Sequence, residues 1–277
     1  MNFRRRLVDR ALIGLSIATV ITAIVPLLSI VYDVAAKGIS AINVDFFTQA
    51  TPLANTPGGG MGNAIQGTLI LVALSALIGL PIGLLSGVYT SEYGSNWYGS
   101  TIRFLGDVLA GIPSIVTGIL VYALIVIPLH GFSVIAGSIA LGTMMIPIVS
   151  NTSSQALKAV PNSIREASTA LGSRRWRTTL EVIVNAKGAI ATACLLAIAR
   201  ITGETAPLIL TSGISTNWFT GVNQPVGSLT YFIYYFAKSP FVNWQNLAWG
   251  AALILMVIVL GINLAVRIVT RGKRAYS

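Results

Sequence analysis

Charged residues are scarce in this sequence. Only 9% of its 277 residues are Asp, Glu, Lys or Arg, whereas 54% are hydrophobic and the mean hydropathy is +0.78. Because a soluble domain is typically about 25% charged, this composition excludes an ordinary soluble protein and indicates a membrane protein. The net charge of +10 does not indicate a nucleic-acid-binding protein, since the basic residues are scattered between apolar runs and do not cluster on one solvated face.

Cysteine and histidine occur once each, as Cys194 and His130. A single cysteine excludes an intrachain disulfide, and a single histidine with no cysteine near it gives little support to a metal site. The sequence also lacks the phosphate-binding loop G-x-x-x-x-G-K-[ST]. We therefore expect no catalytic residue, metal or cofactor in this chain, and any ATP and Mg²⁺ must be used by a partner subunit.

Long apolar runs are abundant. A helix that crosses about 30 Å of hydrocarbon needs about 20 apolar residues. Six runs meet or approach this length: 11–31, 67–89, 104–129, 134–150, 188–212 and 247–269. The fourth is the weakest, because it is short and continues into the polar sequence SNTSSQ. The first follows three arginines, as a secretory signal does, but its apolar core is too long, so we interpret it as a retained span.

Lysine and arginine are distributed unevenly between the two sides of these runs. If the N-terminus is cytoplasmic, fifteen of the 18 basic residues lie on that side, Lys37 and Lys238 lie outside, and Arg200 lies within a span. Basic residues concentrate in cytoplasmic loops. We therefore predict an all-α membrane protein with six transmembrane helices, cytoplasmic N- and C-termini and a single transmembrane domain over residues 1–277.

A polar, basic cytoplasmic loop, 151–187, separates the fourth and fifth runs and contains VPNSIREASTALGSRRWRTTLEVI. Ser163 and Glu166 have the spacing of a capping box, in which the serine hydroxyl and the glutamate carboxylate each bond a free amide at a helix start. The pattern predicts a helix that begins just after Pro161.

This helix would present one apolar face, formed by Ile164, Ala167 and Leu171. Gly172 can adopt the left-handed conformation that ends a helix, and a second helix over about 174–184 would follow. The residues alone are compatible with an amphipathic hairpin that rests on lipid headgroups and faces their phosphates with three arginines, with Trp176 dipping into the membrane.

The sequence E-A-S-x-x-x-G from Glu166 to Gly172 resembles the EAA loop of ABC importer permeases, which docks a helix into a groove on a cytoplasmic ATPase subunit. The resemblance assigns ATPase docking to five residues: Glu166, Ala167, Ser168, Leu171 and Gly172. Two positions depart from the family's pattern. Ser168 replaces its second alanine, and Asn185 replaces the proline that ends its usual I-x-L-P tail.

Two charges interrupt the fifth apolar run, in the sequence ARITGETAPLIL. Arg200 and Glu204 are four residues apart, so on a continuous helix they would be neighbours and could neutralise each other. A charge at the bilayer centre costs at least about 2.5 to 3.5 kcal/mol, so such residues face a bundle interior or a watery cavity. Two interpretations remain: a structural ion pair, or a cation placed for a passing anion with Glu204 as its resting counter-ion.

Glycine and proline interrupt the apolar runs near these charges. Gly203 and Pro207 flank Glu204, and Gly111 and Pro113 interrupt the third run. Such breaks are tolerated where neighbouring groups or water satisfy the backbone, and they often mark a transport path. An arginine suits phosphate because its planar fork donates two hydrogen bonds while it remains charged. The residues alone predict a path for an anion or a proton.

Four segments, in order, resemble signatures of the PstA family of phosphate-specific ABC importer permeases: GVYTSEY (87–93), AGIPSIVTGILVY (110–122), AIARITGETAPLILT (197–211) and SPFVNWQNLAW (239–249). With the EAA-like loop, the resemblance extends over about 58–249. It implies a type I ABC importer permease fold, with Arg200 and Glu204 in the substrate path. It also implies a heterodimer with a sister permease of the PstC type, two PstB-like ATPases, a PstS-like extracytoplasmic phosphate-binding protein, and a place in the bacterial inner membrane.

The predicted function is inward passage of inorganic phosphate by alternating access. Three alternatives remain at this point. A permease of the same architecture could carry another oxyanion, such as phosphonate, sulfate or molybdate, because Arg200 alone does not distinguish them. A secondary transporter could use Glu204 to carry protons, and a membrane scaffold would transport nothing.

Overall fold

The computed structural model describes residues 3–54, 56 and 58–271. Within these ranges the chain forms helices and loops, with no strand. The α-helices are α1 (Phe3–Ala41), α2 (Val44–Thr48), α3 (Gly62–Glu92), α4 (Trp97–Gly111), α5 (Ser114–Val121), α6 (Val134–Lys158), α7 (Asn162–Ala170), α8 (Arg175–Thr202), α9 (Ala206–Thr211), α10 (Leu229–Ala237) and α11 (Val242–Arg271). Lys273 and Arg274, which contributed to the predicted orientation, lie outside the described residues.

Five of the described helices, α1, α3, α6, α8 and α11, are long and apolar enough to cross a membrane, and α4 with α5 forms a sixth, bent candidate. The predicted all-α membrane fold is confirmed. The elements extend past the predicted bounds around the cytoplasmic loop: α6 continues to Lys158 and α8 begins at Arg175. Most of the predicted loop 151–187 is therefore helical.

The third predicted span, 104–129, is not one helix. α4 ends at Gly111, α5 begins at Ser114, and the two axes differ by 103°. Proline lacks a backbone N–H and disfavours the helical conformation of the residue before it. Ile112 is accordingly extended, at φ −73° and ψ 126°, and Pro113 has φ −56° and ψ 138°. A π-helical turn, Tyr122–Val126, follows α5 directly.

The α3–α6 pair forms the centre of the bundle, and glycines allow its close approach. Gly79, Gly83 and Gly87 recur every fourth residue on α3. A Cβ atom at Gly83 would lie 2.7 Å from the Cβ of Val149 on α6, and one at Gly87 would lie 2.8 Å from the carbonyl oxygen of Ser150. Small residues at four-residue spacing let helix backbones meet closely in membranes, so these two helices pack as one unit.

The Gly83→Ala substitution tests this packing. Because the added methyl group meets the Val149 side chain and the Ile146 carbonyl, we expect a loss of about 1 to 3 kcal/mol in stability, measured as a lower unfolding temperature of the purified protein in detergent. Gly14→Ala on α1 is the matched control, since nothing lies within 4 Å of its added Cβ. Equal unfolding temperatures for the two variants would contradict the close packing.

α1 and the extracytoplasmic segments contact the bundle at one end. The most apolar stretch of α1 is not buried by the rest of the chain, whereas Gly38 near its end packs against Leu253 of α11. Aromatic side chains join the outer segments: Phe236 stacks on Trp244 with 4.4 Å between ring centroids, and the Trp244 indole donates a hydrogen bond to the Pro52 carbonyl at 3.2 Å. The long apolar flank of α1 is left for lipid or another chain to cover.

Candidate functional site

Arg200 lies in the last turn of α8, and its side chain is exposed on the surface of the chain. It borders a cleft of about 120 Å³, which we name the Arg200 cleft. The other lining residues come from the end of α4, the α4–α5 break and α6: Leu109, Ala110, Ile112, Met144, Pro147 and Ile148. Of these described lining residues only Arg200 is charged, so the cleft presents one cation framed by apolar walls.

The fifth predicted span, 188–212, is broken like the third. α8 ends before Gly203 and α9 begins after Thr205. Glu204 therefore lies between two helices, half-buried, and not one turn beyond Arg200 on the same helix. The predicted helical spacing of these two charges is wrong.

Proline and a neighbouring hydroxyl explain this second break. Pro207 has no N–H to bond the carbonyl of Gly203, and glycine itself disfavours a helix interior. The chain closes α8 with a tighter turn, in which the Glu204 amide donates to the Ile201 carbonyl at 3.1 Å. The Glu204 carbonyl then accepts a hydrogen bond from the Thr230 hydroxyl of α10 at 3.0 Å. A backbone group released by the break thus finds a partner inside the bundle.

Arg200 and Glu204 do not form an ion pair in this structure. The salt bridges among the described residues are Asp33 with Lys37 and Glu92 with Arg165. An ion pair that locks the fifth helix, one of the two interpretations that the sequence left open, is therefore not formed. Arg200 instead faces the cleft.

The two broken spans lie side by side. α5 packs against α9 so closely that a Cβ atom on Gly118 would lie 2.8 Å from the Cα atom of Pro207. Leu208 of α9 is buried in the same region. Irregular backbone at membrane depth occurs where protein buries it or where it lines a watery cavity. Two adjacent breaks beside a lone cation are an arrangement suited to the passage of an anion.

The cytoplasmic loop forms a helical hairpin from α7 and the first part of α8, which we name the docking hairpin (162–184). α7 begins directly after Pro161, as predicted, but the capping box is wrong. Pro161 itself is the N-cap, and no side chain caps the helix. The arginine of the first turns, Arg165, instead donates to the carbonyls of Leu157 and Val160 at 2.9 and 2.8 Å. These bonds tie the start of α7 to the end of α6.

Gly172 ends α7 as predicted. Its φ is +73°, a region that side chains other than Asn and Asp rarely adopt. The Ser173 amide donates to the Ser168 carbonyl at 3.2 Å and the Gly172 amide to the Thr169 carbonyl at 2.9 Å. These two bonds form a Schellman motif, so the turn between the helices is defined by the backbone.

The predicted apolar face of α7 is divided between two sides. Ile164 packs against a buried cluster of the bundle that includes Val182, whereas Ala167 and Leu171 are exposed, Leu171 to 86%. The face that turns toward α8 carries Ser168, whose hydroxyl lies 2.9 Å from the Thr178 hydroxyl and which is only 3% exposed. With Ser168 facing α8, Leu171 lies on the exposed side of the hairpin.

Both departures from the EAA pattern have a structural explanation. Ser168 is buried against α8, and its hydroxyl adds a hydrogen bond to the second helix that alanine would lack. Asn185 lies inside α8, where its side-chain amide donates to the Glu181 carbonyl at 2.9 Å. Without the family's proline, α8 continues from the docking hairpin into the membrane.

Sequence reasoning missed Glu92, the last residue of α3. Arg165 donates to its two carboxylate oxygens at 2.8 and 3.2 Å, and Arg175 donates to its carbonyl at 2.6 Å. The Arg175 guanidinium also lies 4.6 Å from the ring centre of Tyr93. An acidic residue just after an apolar run is a signal of a functional or structural contact. Its partners, however, lie more than 70 positions away, and no local sequence pattern identifies them.

Comparisons with known proteins agree with this architecture. Residues 79–275 match the model of the family described as binding-protein-dependent transport system inner membrane component. A chain of a bacterial alginate ABC transporter, solved in complex with an alginate pentasaccharide-bound periplasmic protein, has a TM-score of 0.65 at 18% identity and covers 95% of each chain. At that identity the likeness concerns the fold alone, and it confirms the predicted type I ABC importer permease fold.

Two relatives resemble nearly the whole chain. The phosphate transport system permease protein PstA of Yersinia pestis is 41% identical over 272 residues, which cover 98% of this chain and 92% of that protein. The protein of the same name from Haemophilus influenzae is 40% identical over 98% of this chain and 96% of its own length. The chain therefore belongs to the PstA family of phosphate transport system permease proteins.

Proposed function

We propose that this chain is the membrane-spanning subunit of an ATP-driven importer and passes inorganic phosphate inward. The observation that carries the proposal is the exposed Arg200 at the cleft between two broken spans. The printed names of its relatives in Yersinia pestis and Haemophilus influenzae, which are phosphate transport permeases, support phosphate as the solute.

Arg200 would bind phosphate directly. No described acidic side chain forms a salt bridge with it, so its planar fork can donate two charge-assisted hydrogen bonds to phosphate oxygens. Glu204, at the neighbouring break, would serve as counter-ion when the path holds no phosphate. That role requires the two side chains to approach each other during the transport cycle.

A sister permease would complete the path. Arg200 is exposed on a single chain, and a charge in the apolar part of a bundle is stable only beside polar groups or water. A second subunit of the PstC type, placed over the Arg200 cleft and the uncovered flank of α1, would enclose a watery cavity between the two chains. Alternating access then means that this cavity opens first to one side and then to the other.

The docking hairpin would bind an ATPase. Its exposed face carries Glu166, Ala167 and Leu171 on a helix that Gly172 ends. An exposed leucine on a rigid helix suits a groove on another protein. Each permease offers one hairpin, so two PstB-like ATPases would bind the heterodimer and use ATP and Mg²⁺, while a PstS-like protein delivers phosphate from outside a bacterial inner membrane.

The test is phosphate uptake by the reconstituted complex in lipid vesicles. We expect uptake that requires ATP, persists when the proton gradient is collapsed, and is not reduced by excess sulfate, molybdate or a phosphonate. Strong competition by one of these anions would identify another oxyanion as the solute. Uptake that continues without ATP and stops with the proton gradient would contradict the proposal and favour proton coupling through Glu204.

A further inference from the structure

One residue at the cytoplasmic end of α3, Glu92, contacts both helices of the docking hairpin, α7 through its carboxylate and α8 through its backbone carbonyl. The side chain of Glu92 is 8% exposed and that of Arg165, on α7, is 23% exposed, with 2.8 Å between Arg165 Nη2 and Glu92 Oε1. The carbonyl of the same residue accepts a hydrogen bond from Arg175 at the start of α8. Glu92 therefore contacts the hairpin on both sides of its turn.

The guanidinium of Arg165 joins three elements at one point. It bonds Glu92 of α3, the Leu157 carbonyl in the last turns of α6, and the Val160 carbonyl before α7. The hydrogen bond with Glu92 raises the pKa of Arg165 above its ordinary value. The Arg165 guanidinium therefore stays positively charged at any pH used for uptake. α7 cannot rotate without breaking these bonds or moving α3 and α6 with it.

This ion pair differs from the other salt bridge among the described residues. Asp33 and Lys37 lie four residues apart on α1, at 3.2 Å, with side chains 45% and 53% exposed. Such an exposed pair contributes little to stability. The pair of Glu92 and Arg165 is shielded, bonded through both carboxylate oxygens and formed between distant segments, so removing one partner leaves a shielded charge unpaired.

The helices joined at Glu92 lead to the Arg200 cleft. α3 packs against α6 through glycines, and α6 provides Met144, Pro147 and Ile148 to the wall of the cleft. We propose that Glu92 is a positioning residue that makes the α3–α6 pair follow the docking hairpin when an ATPase moves it. This inference rests on the proposed function, because it requires an ATPase on the hairpin and an anion at Arg200.

The experiment measures coupling in the reconstituted complex. Glu92→Gln keeps the shape of the side chain but removes its charge, and Arg165→Lys keeps the charge but cannot make the same set of bonds. For both variants we expect the amount of phosphate transported per ATP hydrolysed to fall by about tenfold, while the ATPase still co-purifies. Asp33→Asn is the matched control, and its ratio should equal that of the wild type.

The outcomes separate this inference from the proposed function. If the wild-type complex shows no ATP-driven phosphate uptake, the proposed function fails and this inference with it. If the wild type couples, and the variants hydrolyse ATP and transport phosphate in the wild-type ratio, only the role of Glu92 is overturned. A purely structural role would lower the yield and the unfolding temperature of the complex and leave that ratio unchanged, which also counts against the inference.

Discussion

Arg200→Gln abolishes phosphate uptake and leaves the complex assembled: this is the expected result for the residue that borders the cleft. Glutamine can still donate a hydrogen bond, but it has neither the charge nor the fork of arginine. Since a hydrogen bond to a charged group contributes about 1.5 to 3 kcal/mol, losing two should reduce uptake by more than about 100-fold. Because the side chain is exposed, the fold should change in stability by less than about 0.5 kcal/mol.

The measurement is uptake of radiolabelled phosphate at equal amounts of assembled complex. Arg200→Lys is the conservative variant, and we expect intermediate uptake because it keeps the charge without the bidentate geometry. Normal uptake by Arg200→Gln would refute a role in the substrate path. Loss of the sister permease from the purified complex would instead show that Arg200 has a structural role at the interface.

The second large effect is expected at the turn of the docking hairpin. Gly172→Val should prevent the ATPase from co-purifying and should stop uptake, although the chain still inserts into the membrane. An added Cβ would meet nothing within 4 Å, so the effect is conformational. A β-branched residue at φ +73° is strained by about 1 to 3 kcal/mol, enough to shift a short turn to another conformation.

Gly172→Asn distinguishes strain from crowding. Asparagine tolerates left-handed backbone, so this variant should bind the ATPase nearly as well as the wild type. If both substitutions abolish binding equally, the ATPase fills the space beside Gly172 and the turn conformation is not the cause. If Gly172→Val still binds the ATPase, the hairpin is not the docking element, and contact with lipid headgroups becomes the better interpretation.

The sequence predicted the features that depend on local composition. Apolar runs located the membrane helices, because a helix in lipid satisfies its own backbone and shows its length in the pattern. Gly172 was identified as a helix end because few other residues adopt its conformation. The resemblance of four segments identified the family. Each of these signals lies within one continuous stretch of the sequence.

The features that the sequence did not predict depend on distant contacts. Gly111 and Pro113 indicate an irregularity, but the size of the bend, 103°, and the contact of α5 with α9 that accompanies it are not encoded in a local pattern. Ser163 fitted a capping box, yet Arg165 bonds the chain around Pro161 and Glu92 on α3. Local spacing indicates which conformations a segment can adopt by itself. Contacts with distant residues determine which of these conformations forms in the folded chain.

The continuity of α8 has a mechanical consequence. Its 28 residues extend for about 42 Å at 1.5 Å per residue, with Arg175 near one end and Arg200 near the other. Asn185 lies within this length and, unlike proline, keeps the backbone N–H that a continuous helix needs, so no proline kink interrupts α8. α8 is thus one continuous helix from the docking hairpin to the Arg200 cleft, and a tilt of about 5° at its Arg175 end would displace Arg200 by about 3 Å.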